Sequence, residues 1–316
     1  MGRTVGGGQL AAGSWQRAAL RLASLAQDCP ERSRGAADSF WILDSGFWIL
    51  TMLLAIDIGN TNIVVGVFDR EQLLHSWRLS TQRHRTADEM GMFVLQLLEH
   101  GQLAPADISA VALASVVPTL TRPTAEMARR YFNREALVVD GSTDTGMPLL
   151  VDEPGQVGAD RIVNGVAAHG RHGHADGGSA RDLIVVDFGT ATTFDAISAR
   201  GEYLGGVICP GVNISADALF ERAARLPRVD VRKPEAVIGR TTVAQMRSGL
   251  FYGYVGLVEG IVGRMRHELG APATCIATGG LAEMIAPDTP AIDAVDRDLT
   301  LHGLRIIWAR NQRASE

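Results

Sequence analysis

The sequence predicts an α/β protein that contains two copies of one domain. Two apolar segments each run into an Asp-x-Gly turn, at Asp57 and at Asp187. A second apolar segment follows each turn, at residues 63–68 and 192–197. Short apolar runs joined by a glycine turn are typical of buried strands in a hairpin. Because this strand–turn–strand unit occurs once in each half, we predict two domains of one architecture.

The length and composition agree with that prediction. At 316 residues, of which 46% are hydrophobic, the chain can bury two medium-sized cores. Its formal net charge is −5, and it has no basic stretch with interleaved aromatic residues, which argues against a nucleic-acid-binding protein. Cys29, Cys209 and Cys275 have no metal-ligand spacing and are interpreted as reduced thiols of a cytoplasmic protein.

The first half has the element order of a ribonuclease-H-like domain, which is three antiparallel strands followed by alternating helices and strands. Met90, Val94 and Leu97 recur at helical spacing after the capping box that begins at Thr86. The predicted elements are strands at 53–58, 63–68 and 73–79, a helix that Gly101 ends, a strand at 110–114, a helix at 123–132 and a strand at 136–139.

The second half repeats this order after a loop at 169–182. The predicted elements are strands at 183–187, 192–197 and 203–208, a helix from Ser215 to Arg225, a long helix from Thr242 to Leu269 and a strand at 275–278. Glycines recur every three or four positions along the long helix, which indicates close packing between domains or between subunits. We therefore expect ribonuclease-H-like domains at 52–168 and 169–316.

Residues 1–51 fit neither domain. They are rich in Gly, Ala, Ser and Arg. The apolar stretch 47–56 resembles the core of a signal peptide, but it runs directly into Asp57 without a small-residue cleavage site, and it is too short to span a membrane. We expect a disordered extension or a mis-assigned start, with Met52 as the natural first residue.

The two Asp-x-Gly turns have the chemistry of a phosphate site. Glycine lets backbone N–H groups approach a ligand, and hydroxyl or amide side chains such as Thr61, Asn62 and Thr190 can donate to phosphate oxygens. An aspartate is suited to a hard cation or to its water shell. One such turn is more often only a hairpin, but two that face each other would clasp a nucleotide.

The scarcity of lysine excludes two common nucleotide sites. Lys233 is the only lysine of the chain, and Pro234 follows it. A P-loop requires a Gly-Lys-Ser/Thr segment and a protein kinase requires a lysine on a strand, and Lys233 fits neither pattern. A nucleotide triphosphate would therefore depend on backbone amides, hydroxyls and a bound cation.

The segment Gly158-Ala159-Asp160-Arg161 places a carboxylate beside a guanidinium. An Asp-Arg pair at the beginning of a helix is often only a cap and a surface ion pair. The same pair also suits catalysis, because the carboxylate can accept the proton of an attacking hydroxyl. The guanidinium can hold a substrate carboxylate in a two-pronged fork.

The ordered set of motifs resembles the type III pantothenate kinases of the acetate and sugar kinase/Hsp70/actin superfamily. The resemblance extends from Met52 to about Arg310 and includes segments 57–62, 115–118, 157–164, 187–192, 210–211, 239–242 and 278–281. It implies two ribonuclease-H-like domains with ATP in the cleft between them. It also implies phosphorylation of pantothenate to 4'-phosphopantothenate, the first step of coenzyme A biosynthesis. Mg²⁺, a monovalent cation (K⁺ or NH₄⁺) and a homodimer are implied too, with no nucleic-acid or membrane partner.

The resemblance also implies a role for each matching residue. Asp160 is the catalytic base, Asp57 holds Mg²⁺ through water, and Asp187 holds the monovalent cation. The implied ATP-binding residues are Asp57, Ile58, Gly59, Asn60, Thr61, Asn62, Ile63, Val64 and Thr190, and the implied pantothenate-binding residues are Gly158, Ala159, Asp160, Arg161 and Thr242. Thr242 also suits an N-cap of the long helix. Val151 departs from the family pattern, since many relatives have tyrosine there.

Two other functions stay open from the sequence. One is a kinase that acts on another small alcohol, which substrate screening would distinguish. The other is a non-catalytic accessory factor of gene regulation, a role known among relatives of this family. The joint presence of Asp57, Asp160, Arg161 and Asp187 favours an enzyme, because a pure binding protein needs no base.

Overall fold

The computed structural model describes residues 52–174, 178–223 and 225–313. The extension 1–51, with its predicted disorder and Cys29, lies outside the described residues. The strands are β1 (Met52–Ile58), β2 (Asn62–Asp69), β3 (Gln72–Ser80), β4 (Ile108–Ser115), β5 (Ala136–Val138), β6 (Leu183–Phe188), β7 (Ala191–Ile197), β8 (Tyr203–Pro210), β9 (Thr274–Gly279) and β10 (Ala294–Val295). The helices are α1 (Ala87–His100), α2 (Pro118–Phe132), α3 (Ala159–His172), α4 (Val212–Arg222), α5 (Thr242–Leu269), α6 (Ala282–Ile285) and α7 (Leu299–Arg313).

The first sheet has the strand order β3-β2-β1-β4-β5. Its first three strands are antiparallel neighbours because tight turns connect them, whereas β4 and β5 run parallel to β1. A parallel pair needs a longer crossover, which α1 and α2 supply. Buried side chains of α1 and α2, such as Met90 and Met127, pack with Ile56 and Val65 on the outer face of this sheet.

The second sheet repeats the arrangement as β8-β7-β6-β9-β10. Here β6, β7 and β8 are antiparallel neighbours, and β9 and β10 run parallel to β6. Helices α4 and α5 cover its outer face through residues such as Val212 and Phe251. The two sheets have the same strand order and directions, so the predicted duplication of a ribonuclease-H-like α/β domain is confirmed.

Helices α3 and α7 form a layer between the two sheets. Helix α3 contacts β4 of the first sheet and β6 and β7 of the second, while α7 packs on α3 and on β1, β2 and β4. Their buried side chains share one core with the inner faces of both sheets, and Leu53, Val163, Leu183 and Leu304 belong to it. The two halves are therefore joined through a common apolar layer. In the described residues, no helix combines the length and apolar character that a membrane span needs.

Several boundaries differ from the sequence prediction. Helix α2 begins earlier, at Pro118, because proline is tolerated in a first turn where no N–H is needed. Helix α3 continues to His172, so the loop predicted to begin at residue 169 begins later. Helix α4 is shifted towards the N-terminus. Helix α7 has no predicted counterpart, since Gly303 weakens its helical pattern. The domain division between 168 and 169 falls inside α3 and stays a prediction.

The crossing of α3 and α7 should be sensitive to one added methyl group. A Cβ on Gly303 would lie 2.1 Å from the carbonyl oxygen of Val163, too close for nonbonded atoms. We expect Gly303→Ala to lower the free energy of unfolding by about 1–3 kcal/mol, because the helices must separate. Gly263→Ala in α5 is the control, since no atom lies within 4 Å of its Cβ position. Urea unfolding of both variants measures the difference, and equal stabilities would contradict the close crossing.

Candidate active site

Asp57 and Asp187 lie on the inner faces of the two sheets. Side chains alternate along a strand, so Asp57 shares its face with Ala55, and Asp187 shares its face with Val185. Both apolar residues belong to the core between the sheets. Each aspartate is partly buried and comes near the carboxyl end of its strand. Both carboxylates therefore face the layer that contains α3.

The two Asp-x-Gly turns meet each other. The N–H of Gly59 donates to the carbonyl oxygen of Asn62 at 2.9 Å, which closes the first turn. The N–H of Gly189 donates to the carbonyl oxygen of Ala191 at 3.1 Å, which closes the second turn. The Thr61 and Thr190 Oγ1 atoms are 2.7 Å apart. One hydroxyl from each turn therefore lies beside the other, and both can donate hydrogen bonds to the same anion.

Residues after β3 support the first turn. The hydroxyl of Thr81 donates to the carbonyl oxygen of Gly59 at 2.7 Å, and its N–H donates to the carbonyl oxygen of Thr61 at 2.9 Å. Arg83 donates from Nη2 to the Asn60 Oδ1 atom at 3.3 Å. These contacts satisfy oxygen atoms of the turn, while the N–H groups of Asn60 and Thr61 make no hydrogen bond within the described residues and stay available for a ligand.

Asp160 lies in the first turn of α3, and Gly158 is the N-cap residue. The Oδ1 atom of Asp160 accepts a hydrogen bond from the backbone N–H of Arg161 at 2.8 Å. Burial raises the pKa of the Asp160 carboxyl, while that hydrogen bond and the positive charge of Arg161 oppose the rise. The charge of Asp160 in turn raises the pKa of Asp57 and of Asp187. The predicted base therefore lies near both turns.

The Arg161 guanidinium is held by a buried carboxylate. Its Nε donates to Asp195 Oδ1 at 2.8 Å, and its Nη2 lies 2.6 Å from the same oxygen in an ion pair. The Tyr203 hydroxyl donates to that oxygen at 2.8 Å. The buried Nη2 has no well-oriented hydrogen bond within the described part of the chain. Asp195 occupies the edge of the guanidinium that carries Nε and Nη2. A substrate carboxylate would therefore approach the guanidinium from the end that carries Nη1.

Asp187 is fixed by a chain of hydrogen bonds that reaches α7. Asn164 Nδ2 donates to Asp187 Oδ2 at 3.0 Å, and the Thr300 hydroxyl donates to Asn164 Oδ1 at 2.7 Å. Asn164 is buried on α3. The amide nitrogen must therefore face Asp187, because its oxygen is occupied by Thr300. Among the described residues, Asn164 is the side chain that donates to the Asp187 carboxylate, and it does so at Oδ2.

The aspartates of the site repel one another. Burial first, and then the negative charges of Asp160 and Asp187, raise the pKa of Asp57 to about 8. Burial and the charge of Asp160 raise the pKa of Asp187 to about 7, against the hydrogen bond from Asn164. Carboxyls with such raised pKa values gain stability from a bound cation. The arrangement has the electrostatics of a cation-assisted phosphate site.

The structure places the other predicted residues in different ways. Ile58 and Ile63 are fully buried in the outer core of the first sheet, so their side chains are closed to a ligand and only their backbone groups remain. Val64 is partly buried beside Asp57. Thr242 begins α5 and is exposed, and Thr241, not Thr242, is the N-cap. No recorded contact in the described residues joins Thr242 to the aspartates.

Some site residues escaped the sequence analysis. Asp195 had a detectable signal, since a carboxylate inside an apolar strand must find a buried partner. Tyr203 can be identified as a partner of Asp195 only after the register of β7 and β8 is known. Asn164 and Thr300 carry no local signal, because their contacts join α3 to a helix that is distant in sequence.

A duplicated α/β fold with two Asp-x-Gly turns that meet beside a cluster of carboxylates is suited to a nucleotide-dependent phosphotransferase. A family model described as type III pantothenate kinase matches residues 53–264. The type III pantothenate kinase of Myxococcus xanthus is 54% identical over 260 residues, which is 82% of this chain and 99% of the relative. The type III pantothenate kinase of Moorella thermoacetica is 53% identical over 260 residues, which is 82% of this chain and 100% of the relative. The chain belongs to the type III pantothenate kinase family, whose members are kinases with ATP as phosphoryl donor.

A solved structure supports the fold independently. A Campylobacter jejuni protein described as a Baf family transcriptional activator is 21% identical and has a TM-score of 0.51. The match covers 82% of this chain and 99% of that chain. At this identity the likeness shows the shared fold alone.

The aspartate cluster predicts a pH effect on stability. The pKa values of Asp57 and Asp187 are about 8 and about 7 in the folded protein, against 3.8 ordinarily, so the folded state holds protons that the unfolded state releases. Stability should therefore fall as pH rises from about 5 to about 8 in metal-free and nucleotide-free protein. Asp57→Asn should reduce the loss of stability with rising pH, and it should have a higher Tm than the wild type at about pH 8. Differential scanning fluorimetry with the exposed variant Asp152→Asn as control measures the effect, and parallel curves for Asp57→Asn and wild type would contradict it.

Proposed function

We propose that this chain transfers the γ-phosphoryl group of ATP to the primary hydroxyl of pantothenate, which gives 4'-phosphopantothenate and ADP. The observation that carries this proposal is the position of Asp160 at the beginning of α3, with Arg161 beside it, close enough to both turn aspartates that the charge of Asp160 raises their pKa values. Pantothenate has a primary hydroxyl at one end and a carboxylate at the other, which matches a base beside a guanidinium. The name of the curated relatives supports the same substrate.

Asp160 acts as the base in this proposal. The hydroxyl oxygen of pantothenate bonds to the γ-phosphorus while the bond from that phosphorus to ADP breaks, and the hydroxyl proton passes to the Asp160 carboxylate. Because the transition state is loose, the base mainly orients the hydroxyl and takes the proton late. The raised pKa of Asp160 makes it a better proton acceptor than an exposed aspartate.

Arg161 would bind the pantothenate carboxylate. Asp195 fixes the guanidinium through Nε, and Tyr203 holds Asp195 in turn. Nε and Nη2 both face Asp195, whereas Nη1 makes no hydrogen bond or ion pair within the described residues, so the Nη1 end of the guanidinium is available to the substrate. Gly158 and Ala159, at the beginning of the same helix, would contact the substrate through their backbone.

The two turns would bind the phosphates from opposite sides. Residues 59–62 and Thr190 offer N–H, hydroxyl and amide donors, and the 2.7 Å contact between Thr61 and Thr190 brings them together. Oxygen ligands such as the Asp57 carboxylate suit Mg²⁺, which usually keeps several waters. A bound Mg²⁺ would neutralise phosphate charge at this side.

Asp187 would hold the monovalent cation. Its pKa of about 7 reflects burial and neighbouring negative charge, which a bound cation would offset. Asn164 keeps the carboxylate in one orientation at 3.0 Å. A K⁺ or NH₄⁺ ion would supply positive charge next to the phosphates, where the chain has no lysine: Lys233 instead pairs with Asp288 at 2.7 Å.

Replacing the base should separate catalysis from nucleotide binding. We expect Asp160→Asn to fold and to bind ATP, but to lose roughly 10²- to 10⁴-fold in kcat, because no carboxylate accepts the proton. A coupled ADP-release assay with pantothenate measures kcat, and calorimetry measures ATP binding. Asp152→Asn is the matched control on an exposed site. Wild-type kcat in Asp160→Asn would rule out the assigned role.

Activity should depend on K⁺ or NH₄⁺ and not on Na⁺. We expect ADP release in a sodium-only buffer to be at least about tenfold slower than with K⁺ at fixed ionic strength, a difference of about 1.4 kcal/mol in the barrier. Asp187→Ala should lose this dependence together with most of its ATP affinity. Equal rates in the two buffers would show that Asp187 has only a structural role or binds Mg²⁺ instead.

We also propose that the protein forms a homodimer through the outer face of the second sheet. Val207 is 37% exposed on β8, where it pairs with Phe194 of the outer core, and Ile214 is 45% exposed on the adjacent α4. On α5, no atom lies within 4 Å of the Cβ positions of Gly249, Gly253 and Gly256, so this glycine stripe is open to another chain. Exposed apolar side chains beside small residues favour a protein partner. A second copy would cover them and could bring its exposed Thr242 towards the pantothenate site.

A charge on this face should weaken the dimer. We expect Ile214→Asp to shift the protein from dimer to monomer, because a buried carboxylate would have no partner in the interface. Met92→Asp is the control, since Met92 is 54% exposed on α1 of the first domain. Size-exclusion chromatography with light scattering gives the mass. A monomeric wild type, or an unchanged dimer in Ile214→Asp, would contradict this interface.

A further inference from the structure

Arg78 lies on the inner face of the first sheet in the same row as Asp57. Arg78 on β3 pairs with Val64 on β2, and Val64 pairs with Asp57 on β1. Paired residues project to the same face, so Arg78 and Asp57 are separated only by Val64. Adjacent strands are about 4.8 Å apart, and the long arginine side chain can span that row.

The guanidinium of Arg78 also reaches the second domain. Its Nη1 atom lies 3.1 Å from the position that a Cβ would occupy at Gly280, in the turn after β9. At the neighbouring Gly279, the same Cβ position lies 2.6 Å from Asp187 Oδ1. Arg78 therefore extends from the edge strand β3 to the turn beside Asp187, across the site between the two domains.

The Arg78 guanidinium has unused donors. Within the described part of the chain it makes no hydrogen bond and no ion pair. Burial raises the pKa of Asp57 and of Asp187, and the charge of Arg78 opposes that rise at both carboxyls. The guanidinium donors are thus close to the carboxylates and still available.

The fold itself does not require a cation at this position. In the second sheet the equivalent row runs from Asp187 through Thr193 on β7 to Ile208 on β8. Ile208 therefore stands where Arg78 stands in the first sheet. An arginine on an edge strand can serve only to prevent strand pairing, but that role does not need a side chain that reaches the opposite domain.

We propose that Arg78 is the fixed cationic ligand of the nucleotide phosphates and contacts the β- and γ-phosphoryl oxygens. The inference deepens the proposed function and rests on its ATP site. A guanidinium offers several N–H donors in a fork that matches phosphate oxygens. Arg78 supplies this charge at the place where Asp57 and Asp187 approach each other. It therefore does what a mobile lysine does in other nucleotide sites.

The test compares nucleotides of different phosphate number. We expect Arg78→Gln to weaken binding of a non-hydrolysable ATP analogue and of ADP by roughly 10- to 100-fold, the effect of one charged hydrogen-bonding group. Binding of AMP should change less than about twofold. Arg78→Lys should recover part of the loss, since it keeps the charge without the fork. Calorimetry with Mg²⁺ and K⁺ present gives the affinities.

Controls separate this inference from simpler outcomes. Arg200→Gln removes an exposed arginine in the turn between β7 and β8 and should leave all affinities unchanged. Unchanged Tm in both variants excludes misfolding. An equal loss for AMP, ADP and the ATP analogue, or no loss at all, would overturn the role of Arg78. Binding is measured without pantothenate, so a failure of pantothenate phosphorylation in the ADP-release assay would leave this result interpretable.

Discussion

The electrostatic repulsion among three carboxylates between the two sheets is the constraint on which the arrangement of the site depends. Asp57, Asp160 and Asp187 come from β1, α3 and β6, and each is brought there by a separate element. Partly buried carboxylates near one another cost free energy, which appears as raised pKa values. Nothing in a stable core favours such a cluster. The cations proposed above would offset this cost, because they would carry positive charge into the site.

The surrounding structure keeps this cluster in place. The common core of α3, α7 and both inner sheet faces holds the elements rigidly, so the carboxylates cannot move apart to relieve their repulsion. Asn164 orients Asp187, and Asp195 orients Arg161. Asp187 and Arg161 are therefore each supported by a buried polar residue, which is the arrangement that a preorganised catalytic site requires.

Local patterns in the sequence predict most of the elements, but not the contacts that join them. The hairpins at Asp57 and Asp187 follow from apolar runs with a glycine turn, and the structure confirms both. The capping box at Thr86 is confirmed too, since Glu89 and Thr86 bond reciprocally. The predicted beginning of α2 at residue 123 was wrong, because the helix begins at Pro118 and Pro123 lies inside it. The pairing of Thr300 with Asn164 depends on tertiary structure, which no local pattern encodes.

Helix α7 has a consequence for biosynthesis. It is the last described helix in the chain, yet it packs on β1, β2 and β4, which are made first. During translation the part of the inner face that α7 covers, on β1, β2 and β4, stays exposed until residues 299–313 leave the ribosome. The first domain therefore cannot complete its folding on its own, and an interrupted or slowed synthesis exposes an apolar sheet face to aggregation or to chaperones.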